Sequence, residues 1–496
     1  MLLKKGVYQM GIFAKWRDNF APIRFLVNAQ KTPWYPVLFA VLCIIGGTHD
    51  HTVYIPILWI LSAFVLFSVF FTDDNKVFLT PLLMIFFSLG CDTSSDAFSD
   101  SNGEMLAFMD KDAFVQVMTI CVICVGSFIV RLVLDGSIAS AFKRRRLFTV
   151  SIIAMDIAFL ANGLFSPGYE IVNLGYGAFL AMGFTVVYFI VSGMLERSDD
   201  PITYACYAMV ATAYVVFLQI SQVAIKLHLS GSYIIKFWGV KQLNKDGLTL
   251  GWGISTVIGA VMVLGIPAAM YLAKNKKGSL FFFISSILFV GGTVIVGARS
   301  AMLVGTLTFL FCTLACCIKG KNRVLIRIYS LSSVAIAIAA LILIDRHLVS
   351  LSEFIDKAVG VLRLDLNKDS GRRTLWTDGI NDFRSSPIFG AGFNDGGYPV
   401  ELKKNNFFSN MYHCILVQLP GSMGLVGCIA FAMHAVSLCI ACFKKISLDK
   451  ILLIFIPLSI LGMSLVDNFF FYLHFQIFYG TFIAIAEKYD TLPSTT

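Results

Sequence analysis

The chain has 496 residues, of which 57% are hydrophobic and only 14% are charged, and its mean hydropathy is +0.79. Soluble domains carry about 25% charged residues, so this composition excludes a soluble protein and indicates an all-α, polytopic membrane protein. The net charge of +9 does not indicate nucleic acid as a partner. The excess Lys and Arg lie in short loops between apolar runs, where such residues orient membrane helices.

The first 34 residues form a basic segment of mixed polarity, without the short charged head and apolar core of a cleavable signal. Beyond it we predict about fourteen transmembrane helices within one transmembrane domain, 1–496, because each apolar run approaches the length that crosses about 30 Å of hydrocarbon. The predicted spans are 35–48, 52–72, 76–91, 113–134, 146–165, 174–194, 203–222, 253–273, 279–297, 299–318, 325–345, 413–442, 450–465 and 467–486.

Basic loops alternate along this series. The amino-terminal segment and the loops "FKRRR", "KNKKG", "KGKNR" and "FKK" all fall on one side, which the positive-inside rule makes cytoplasmic. Both termini, including the tail 487–496, are therefore predicted to be cytoplasmic. The loops 92–112 and 346–412 are predicted to be external.

The loop 346–412 is long enough to build structure over the membrane and cover an active site. Apolar residues recur at helical spacing in 350–364 and again after Arg372 and Arg373, so we predict two short helices on the outer surface. The second would begin with two arginines, where free backbone N–H groups already favour an anion.

Two further residues share the predicted outer surface. Arg299 occupies the tight junction between two spans, and His413 opens the span 413–442 beside Tyr412. Charged residues at a membrane edge are functional candidates, although Arg can also reach the interface with its long stem. Together with Arg372 and Arg373 these residues form our candidate site.

The stretches "SGRRTLWTDGINDFRSSPIFGAGF" and "YHCILVQLPGSMGLVG" resemble the superfamily of O-antigen ligases and Wzy-type polysaccharide polymerases. In that family a Gly-Arg segment leads to a Trp, a Pro, a Gly-x-Gly turn, and a His that opens a membrane helix, with a Gly eleven positions later. Gly424 matches that glycine, and Arg299 with Leu303 matches a second family element. Cys414 stands where the family often has Asn or Ser, which blurs the choice between ligase and polymerase.

The resemblance implies a membrane glycosyltransferase of the bacterial inner membrane, with its active site external. Its donor would be an undecaprenyl-diphosphate-linked saccharide and its acceptor a sugar hydroxyl. His413 would be the catalytic base, Arg299, Arg372 and Arg373 would bind the diphosphate, and no metal or other cofactor would be needed. Membrane lipids surround it, and a chain-length regulator is a further candidate partner. We expect a polymerase first. The first alternative is a ligase that moves finished glycan to lipid A core or protein. The second alternative is a transporter or flippase for the same lipid-linked saccharide.

Other polar residues leave alternatives open. His49, Asp50 and His51 could bind a metal in the first external loop, and Asp156 could mark an ion pathway or be a hydrogen-bonded acid. Asp467 could orient a site residue or cap a helix. Arg131, near a cytoplasmic helix end, is predicted to extend to the interface.

Overall fold

The computed structural model describes residues 11, 13–47, 51–89, 111–143, 146–167, 171–196, 198–229, 249–250, 253–347, 372–393 and 412–490. The chain forms two compact units. The first unit comprises Met1–Ser137 and Met194–Leu364, and the second comprises Ile138–Gly193 and Asp365–Thr496.

The described residues are almost entirely helical, apart from a short antiparallel pairing of β1 (Thr249–Leu250) with β2 (Gly253–Ile254). The α-helices, in chain order, are α1 (Ala21–Gln30), α2 (Trp34–Gly47), α3 (His51–Phe71), α4 (Leu79–Leu89), α5 (Lys111–Leu134), α6 (Ser137–Lys143), α7 (Thr149–Phe165), α8 (Ile171–Glu196), α9 (Pro201–Leu229), α10 (Ser255–Asn275), α11 (Ser279–Val296), α12 (Arg299–Ile318), α13 (Arg323–His347), α14 (Arg372–Ser385), α15 (Ile415–Phe443), α16 (Leu448–Met463) and α17 (Leu473–Tyr489). Single 3₁₀ turns occupy Asn75–Phe78 and Phe469–Phe471.

Each of the fourteen predicted apolar runs overlaps one of these helices. By length and composition, six stretches within the described helices can cross a membrane: Asn173–Glu196, Pro201–Gln222, Thr256–Asn275, Ser279–Val296, Arg299–Ile318 and Ile415–Phe443. Further apolar helices are shorter. The prediction of an all-α, multi-pass membrane protein is confirmed.

One helix boundary differs from the sequence prediction, and one predicted helix lies beyond the described residues. The last span begins at Leu473 instead of 467, because residues 464–472 form a turn and a 3₁₀ helix that carries Asp467. Of the two predicted loop helices, the second is α14 and begins at Arg372 as expected, whereas 350–364 lies outside the described residues.

Arg131 does not extend to the interface as predicted. It is 5% exposed, and its guanidinium donates to the carbonyl oxygens of Val69 at 3.1 Å and Thr72 at 2.8 Å. An ion pair with Asp135 at 3.6 Å adds to these contacts. The last carbonyls of a helix have no partners within it, so a buried arginine satisfies the end of α3 where water is scarce.

In the first unit α10 is the central helix. Its window Thr256–Asn275 is fully buried, and it packs against α9, α11 and α12. At the amino-terminal end of this unit, α2 packs against α3, α4 and α9, and α1 packs against α2 and α3.

The second unit is built around α15, which packs against α7 on one side and α14 on another, while α16 packs against α17. The helix α15 is interrupted at Gly424, whose φ of 60° and ψ of −156° are far from helical values. An interruption of this kind frees backbone N–H and C=O groups, and inside a membrane such groups need partners from the protein.

The turn that follows α14 supplies these partners. Ala391 and Gly392 donate their N–H groups to the carbonyls of Gly421 at 2.8 Å and Ser422 at 3.1 Å. In the opposite direction, the N–H groups of Leu425 and Val426 donate to the carbonyls of Pro387 at 2.8 Å and Ile388 at 3.1 Å. The Pro-x-x-Gly-x-Gly segment therefore occupies the break in α15 and fixes α14 against it.

Two glycines make this close approach possible. Gly390 has a φ of 73°, and a Cβ there would overlap the backbone of Ser422 and Met423. Gly424 has a φ of 60°, and a Cβ there would overlap the carbonyl of Ile388. Both positions combine a left-handed backbone with a neighbouring main chain that cannot move aside.

We predict that Gly390→Ala lowers the free energy of unfolding by at least about 1–3 kcal/mol, the cost of a strained backbone residue, because the added methyl group also separates α14 from α15. The measurement is the apparent Tm of the purified protein in detergent. Gly175→Ala is the matched control, since Gly175 lies in α8 with nothing within 4 Å of an added Cβ. Equal effects of the two substitutions would contradict the packing described.

Candidate active site

His413 and Asp467 form a hydrogen-bonded pair at the start of α15. The Nδ1 atom of His413 lies 3.0 Å from Oδ1 of Asp467. The Asp467 side chain is 4% exposed, whereas that of His413 is 33% exposed. The Asp467 carboxylate is therefore buried, and the His413 imidazole is partly accessible at the protein surface.

The backbone places His413 in an uncommon conformation. Its φ is 51°, in the left-handed region, and it stands between Tyr412 and the extended N-cap residue Cys414. A non-glycine residue in this region costs about 1–3 kcal/mol and persists only where its surroundings hold it. The first N–H of α15, that of Ile415, donates to the carbonyl of Ser464 at 2.8 Å, which joins this segment to the turn that carries Asp467.

Gln418 connects the two sides of the pair. Its Oε1 atom accepts from the backbone N–H of Tyr412 at 2.9 Å and also from the side-chain amide of Asn468. Its Nε2 atom donates to Ser422 Oγ at 2.6 Å. A single buried amide thus holds the residue before His413 and the residue after Asp467.

Tyr412 joins this arrangement to α14. Its hydroxyl donates to the Asp382 carboxylate of α14. Its ring packs where a Cβ on Gly379 or Gly421 would otherwise lie, at 3.0 Å and 2.7 Å from ring atoms. Small residues on both helices therefore form the space that the ring fills.

Arg372 begins α14, and its charge acts on the Asp467 carboxylate. Arg373 is exposed in the same turn. The first N–H groups of a helix and its dipole favour an anion, and the guanidinium fork matches phosphate oxygens. This end of α14 therefore combines two arginines with an N-terminus suited to an anionic group.

The surroundings of Asp467 keep its carboxyl ionised. Burial acts to raise its pKa, but the hydrogen bond with His413, the charge of His413, the Asn468 backbone N–H and the charge of Arg372 act in the opposite direction. The net result is a pKa below the ordinary value of 3.8. An ionised carboxylate only accepts hydrogen bonds, so neutral His413 carries its proton on Nδ1 and leaves the Nε2 lone pair free to accept one.

The structure brings together most of the residues selected from the sequence. His413, Tyr412, Arg372 and the helix break at Gly424 all belong to the second unit. Arg299 is exposed as the first residue of α12 in the first unit, and its part in the site stays a prediction.

The metal alternative concerns a different part of the chain. His49 and Asp50 lie outside the described residues, as does the side chain of His51. Among the residues that the structure describes, no group of three His, Cys, Asp or Glu side chains is placed to hold a metal ion.

The sequence patterns did not identify three residues that hold the segments of the candidate site. Gln418, Asn468 and Asp382 bind the segments on which His413, Asp467 and Arg372 lie. Gln418 carried a usable signal, because an amide inside the apolar run "ILVQLPG" is costly to bury without partners. Asp382 lies in a polar stretch, and Asn468 directly follows Asp467 at the predicted edge of a span, where polar residues are common.

Asp156 fits the hydrogen-bonded alternative. Thr185 of α8 donates its hydroxyl to Asp156 Oδ2 of α7. This contact gives the acid a neighbouring helix as partner, as expected for a structural carboxyl in an apolar helix.

We predict that ionised Asp467 stabilises the fold fully at pH values above 3.8, the ordinary pKa of its carboxyl group. This stabilisation should be lost as the pH falls through the lower pKa that the carboxyl group has in the folded protein. The measurement is the apparent Tm of wild type and Asp467→Asn at about pH 5 and at stepwise lower pH values. The wild-type advantage should shrink with acidification. A difference that stays constant over this range would contradict the ionised, hydrogen-bonded carboxylate.

Comparison with known proteins gives one family. Residues 284–432 match the family model described as O-antigen ligase. The matched segment contains Arg299, the helix α14 with Arg372 and Arg373, His413 and Gly424. No curated protein matches the chain. The match covers less than half of the chain, and over this segment the protein is similar to O-antigen ligases.

Proposed function

We propose that the protein is a polysaccharide polymerase that transfers a glycan from an undecaprenyl-diphosphate-linked donor to a sugar hydroxyl of the acceptor. The observation that carries this proposal is the His413–Asp467 pair, at 3.0 Å, with the charge of Arg372 acting on the same carboxylate. A base and an anion-binding group therefore lie at one end of α14 and α15.

His413 is the proposed general base. A sugar hydroxyl is a poor nucleophile, and a positioned imidazole can take its proton during the attack. The Nε2 atom accepts that proton as the acceptor oxygen forms a bond to C1 of the donor sugar. The bond from C1 to the diphosphate oxygen breaks at the same centre, so direct displacement inverts the anomeric configuration.

Asp467 is a positioning residue in this scheme. Its carboxylate fixes the proton of His413 on Nδ1 and stabilises the imidazolium that forms when Nε2 takes up the hydroxyl proton. The left-handed backbone at His413 and the Gln418 contacts on both flanks keep the ring in one orientation.

Arg372 and Arg373, with Arg299 as a further candidate, are the proposed ligands of the lipid diphosphate. Negative charge grows on the leaving group as the C1–O bond breaks, and fixed arginines stabilise it without rearranging during the reaction. The N-terminus of α14 adds backbone N–H groups to the same task. In this scheme the arginines stabilise the charge that a divalent ion stabilises in metal-dependent glycosyltransferases. We therefore propose a metal-independent transfer.

The proposed orientation follows from the distribution of basic residues. Both termini are cytoplasmic, and α14 and the start of α15 face the outside of a bacterial inner membrane. The lipid-linked donor and acceptor would then meet on the external face. A ligase that uses lipid A core as acceptor is the second candidate, favoured by the description of the family model as O-antigen ligase.

We predict that the purified protein, given only lipid-linked oligosaccharide repeat units, forms products that grow by whole repeats. His413→Gln should lower this rate by about 10²–10⁴-fold, the usual contribution of general acid–base catalysis, because glutamine has similar polarity but cannot take up the proton. Gel separation of fluorescently labelled products measures both rates.

The matched control is His434→Gln, the same substitution farther along α15. His434 lies in the apolar interior and bonds Ser151 and Tyr479, so correctly folded His434→Gln should keep its activity. Transfer that occurs only after lipid A core is added would identify a ligase. Near wild-type transfer by His413→Gln would remove the proposed base.

A further inference from the structure

Two basic loops of the first unit are bound to each other at one end of its helices. One loop, with the sequence "KNKKG", connects α10 to α11, and the other, with "KGKNR", connects α12 to α13. The side-chain amide of Asn322 donates to the carbonyls of Ala273 at 2.9 Å and Lys276 at 2.8 Å. Its backbone N–H donates to the carbonyl of Lys274 at 3.2 Å. Carbonyls at the end of a helix have no partners within it, so Asn322 satisfies the end of α10 and fixes the second loop against the first.

Packing and one further hydrogen bond hold the same surface together. Lys274 is 3% exposed, and a Cβ on Gly320 would lie 2.4 Å from Cγ of the Lys274 stem. Arg327, one turn into α13, donates its Nε–H to the carbonyl of Cys317 near the end of α12 at 2.8 Å. The two loops and the start of α13 therefore form one connected surface.

Most of the cations on this surface lack an anionic partner. Lys276 differs, because it forms an ion pair with Asp200 at 3.1 Å. Five other side chains are exposed and form no ion pair within the part of the chain that the structure describes: Lys277, Lys319, Lys321, Arg323 and Arg327.

The helix ends add to this positive charge. Both α11 and α13 begin here, and neither has an acidic residue in its first turn. The free N–H groups at the start of a helix carry partial positive charge, which makes a nearby cation unfavourable and a nearby anion favourable. Arg323 is the first residue of α13 and Arg327 lies one turn later. A bound anion would therefore remove a repulsion that the protein itself leaves uncompensated.

The neighbouring side chains place this charge at the boundary of the membrane. Ile318, directly before Lys319, is 59% exposed, and Val324, directly after Arg323, is 58% exposed. Phe281, in the first turn of α11, is 55% exposed. Cations that adjoin lipid-facing apolar residues at helix ends reach the depth of the headgroups. This position favours the phosphate of a lipid over an anion from open solvent.

We propose that this surface, formed by residues 274–278, 319–323 and Arg327, binds the headgroup of an anionic glycerophospholipid in the leaflet predicted to be cytoplasmic. Side chains four residues apart on a helix are neighbours, so Arg323 and the two Nη groups of Arg327 can bind one phosphate, and guanidinium groups suit its oxygens. The acyl chains lie along Ile318 and Val324. Every residue of this site belongs to the first unit, so the proposal does not depend on the glycosyl-transfer site.

The test is native mass spectrometry of the full-length protein in detergent, with palmitoyl-oleoyl phosphatidylglycerol titrated against the phosphatidylethanolamine that has the same chains. Wild type should bind the first phosphatidylglycerol more tightly. The double variant Lys321→Gln/Arg323→Gln should lose about 5- to 30-fold of that affinity, since each cation near an anionic lipid contributes about fivefold. Neither side chain bonds to another described residue, so the variant should fold normally.

The matched control is Lys15→Gln/Arg24→Gln, which removes the same two charges from another exposed basic segment on the same predicted side. It should bind phosphatidylglycerol as wild type does. Equal losses in the two double variants would show that net charge alone attracts the lipid, and would overturn the proposal.

A third variant tests the joined loops. Asn322→Ala keeps every cation but removes the bonds from its amide to Ala273 and Lys276, so it should also weaken binding of phosphatidylglycerol. Wild-type affinity in Asn322→Ala would contradict a site that depends on the joined loops. Equal affinity of wild type for the two lipids, or displacement of phosphatidylglycerol by an equal concentration of inorganic phosphate, would contradict a lipid headgroup as the ligand. The two double variants decide the proposal even where Asn322→Ala does not fold.

Discussion

The candidate site depends on a helix break inside the membrane region. At Gly424 the regular hydrogen bonding of α15 stops, and backbone groups left unpaired in hydrocarbon would cost several kcal/mol each. The turn after α14 compensates them with four main-chain hydrogen bonds, two in each direction. Because these bonds join main chain to main chain, they fix where α14 ends relative to α15 independently of most side chains.

The remaining geometry follows from that joint. With α14 fixed, Gly379 lies against the Tyr412 ring and Asp382 accepts from its hydroxyl. Tyr412 in turn precedes His413, and Gln418 ties the Tyr412 backbone to Asn468 beside Asp467. One connected set of contacts therefore positions the proposed base His413, the Asp467 carboxylate bonded to it and an arginine at a helix N-terminus. Such support is what a catalytic group needs, since small displacements lower rates strongly.

Sequence patterns predicted the features that are local. Hydrophobic runs predicted the apolar helices, because the length and polarity of a membrane span are properties of consecutive residues. The start of α14 at Arg372 was predicted from periodicity, and His413 was correctly placed at the opening of α15. The boundary of α17 was predicted too early, because the aromatic residues of the 3₁₀ turn Phe469–Phe471 read as part of an apolar span.

Contacts between distant residues were beyond the sequence patterns. Asp467 could equally have capped a helix, and its pairing with His413 joins positions 54 residues apart in the chain. The burial of Arg131 depends on the carbonyls at the end of α3, which no pattern around Arg131 reveals. In both cases the outcome is set by which helix ends meet in the folded chain.

We propose that Asp467 acts on glycan transfer through His413. A double-mutant cycle of Asp467→Asn and His413→Ala, measured as the initial rate of transfer by the purified protein, tests it most directly. We expect strong non-additivity: Asp467→Asn should slow transfer by the wild-type protein markedly but change the rate of His413→Ala little. Equal fold-losses in both backgrounds would show that Asp467 acts independently of His413 and would rule out this positioning role.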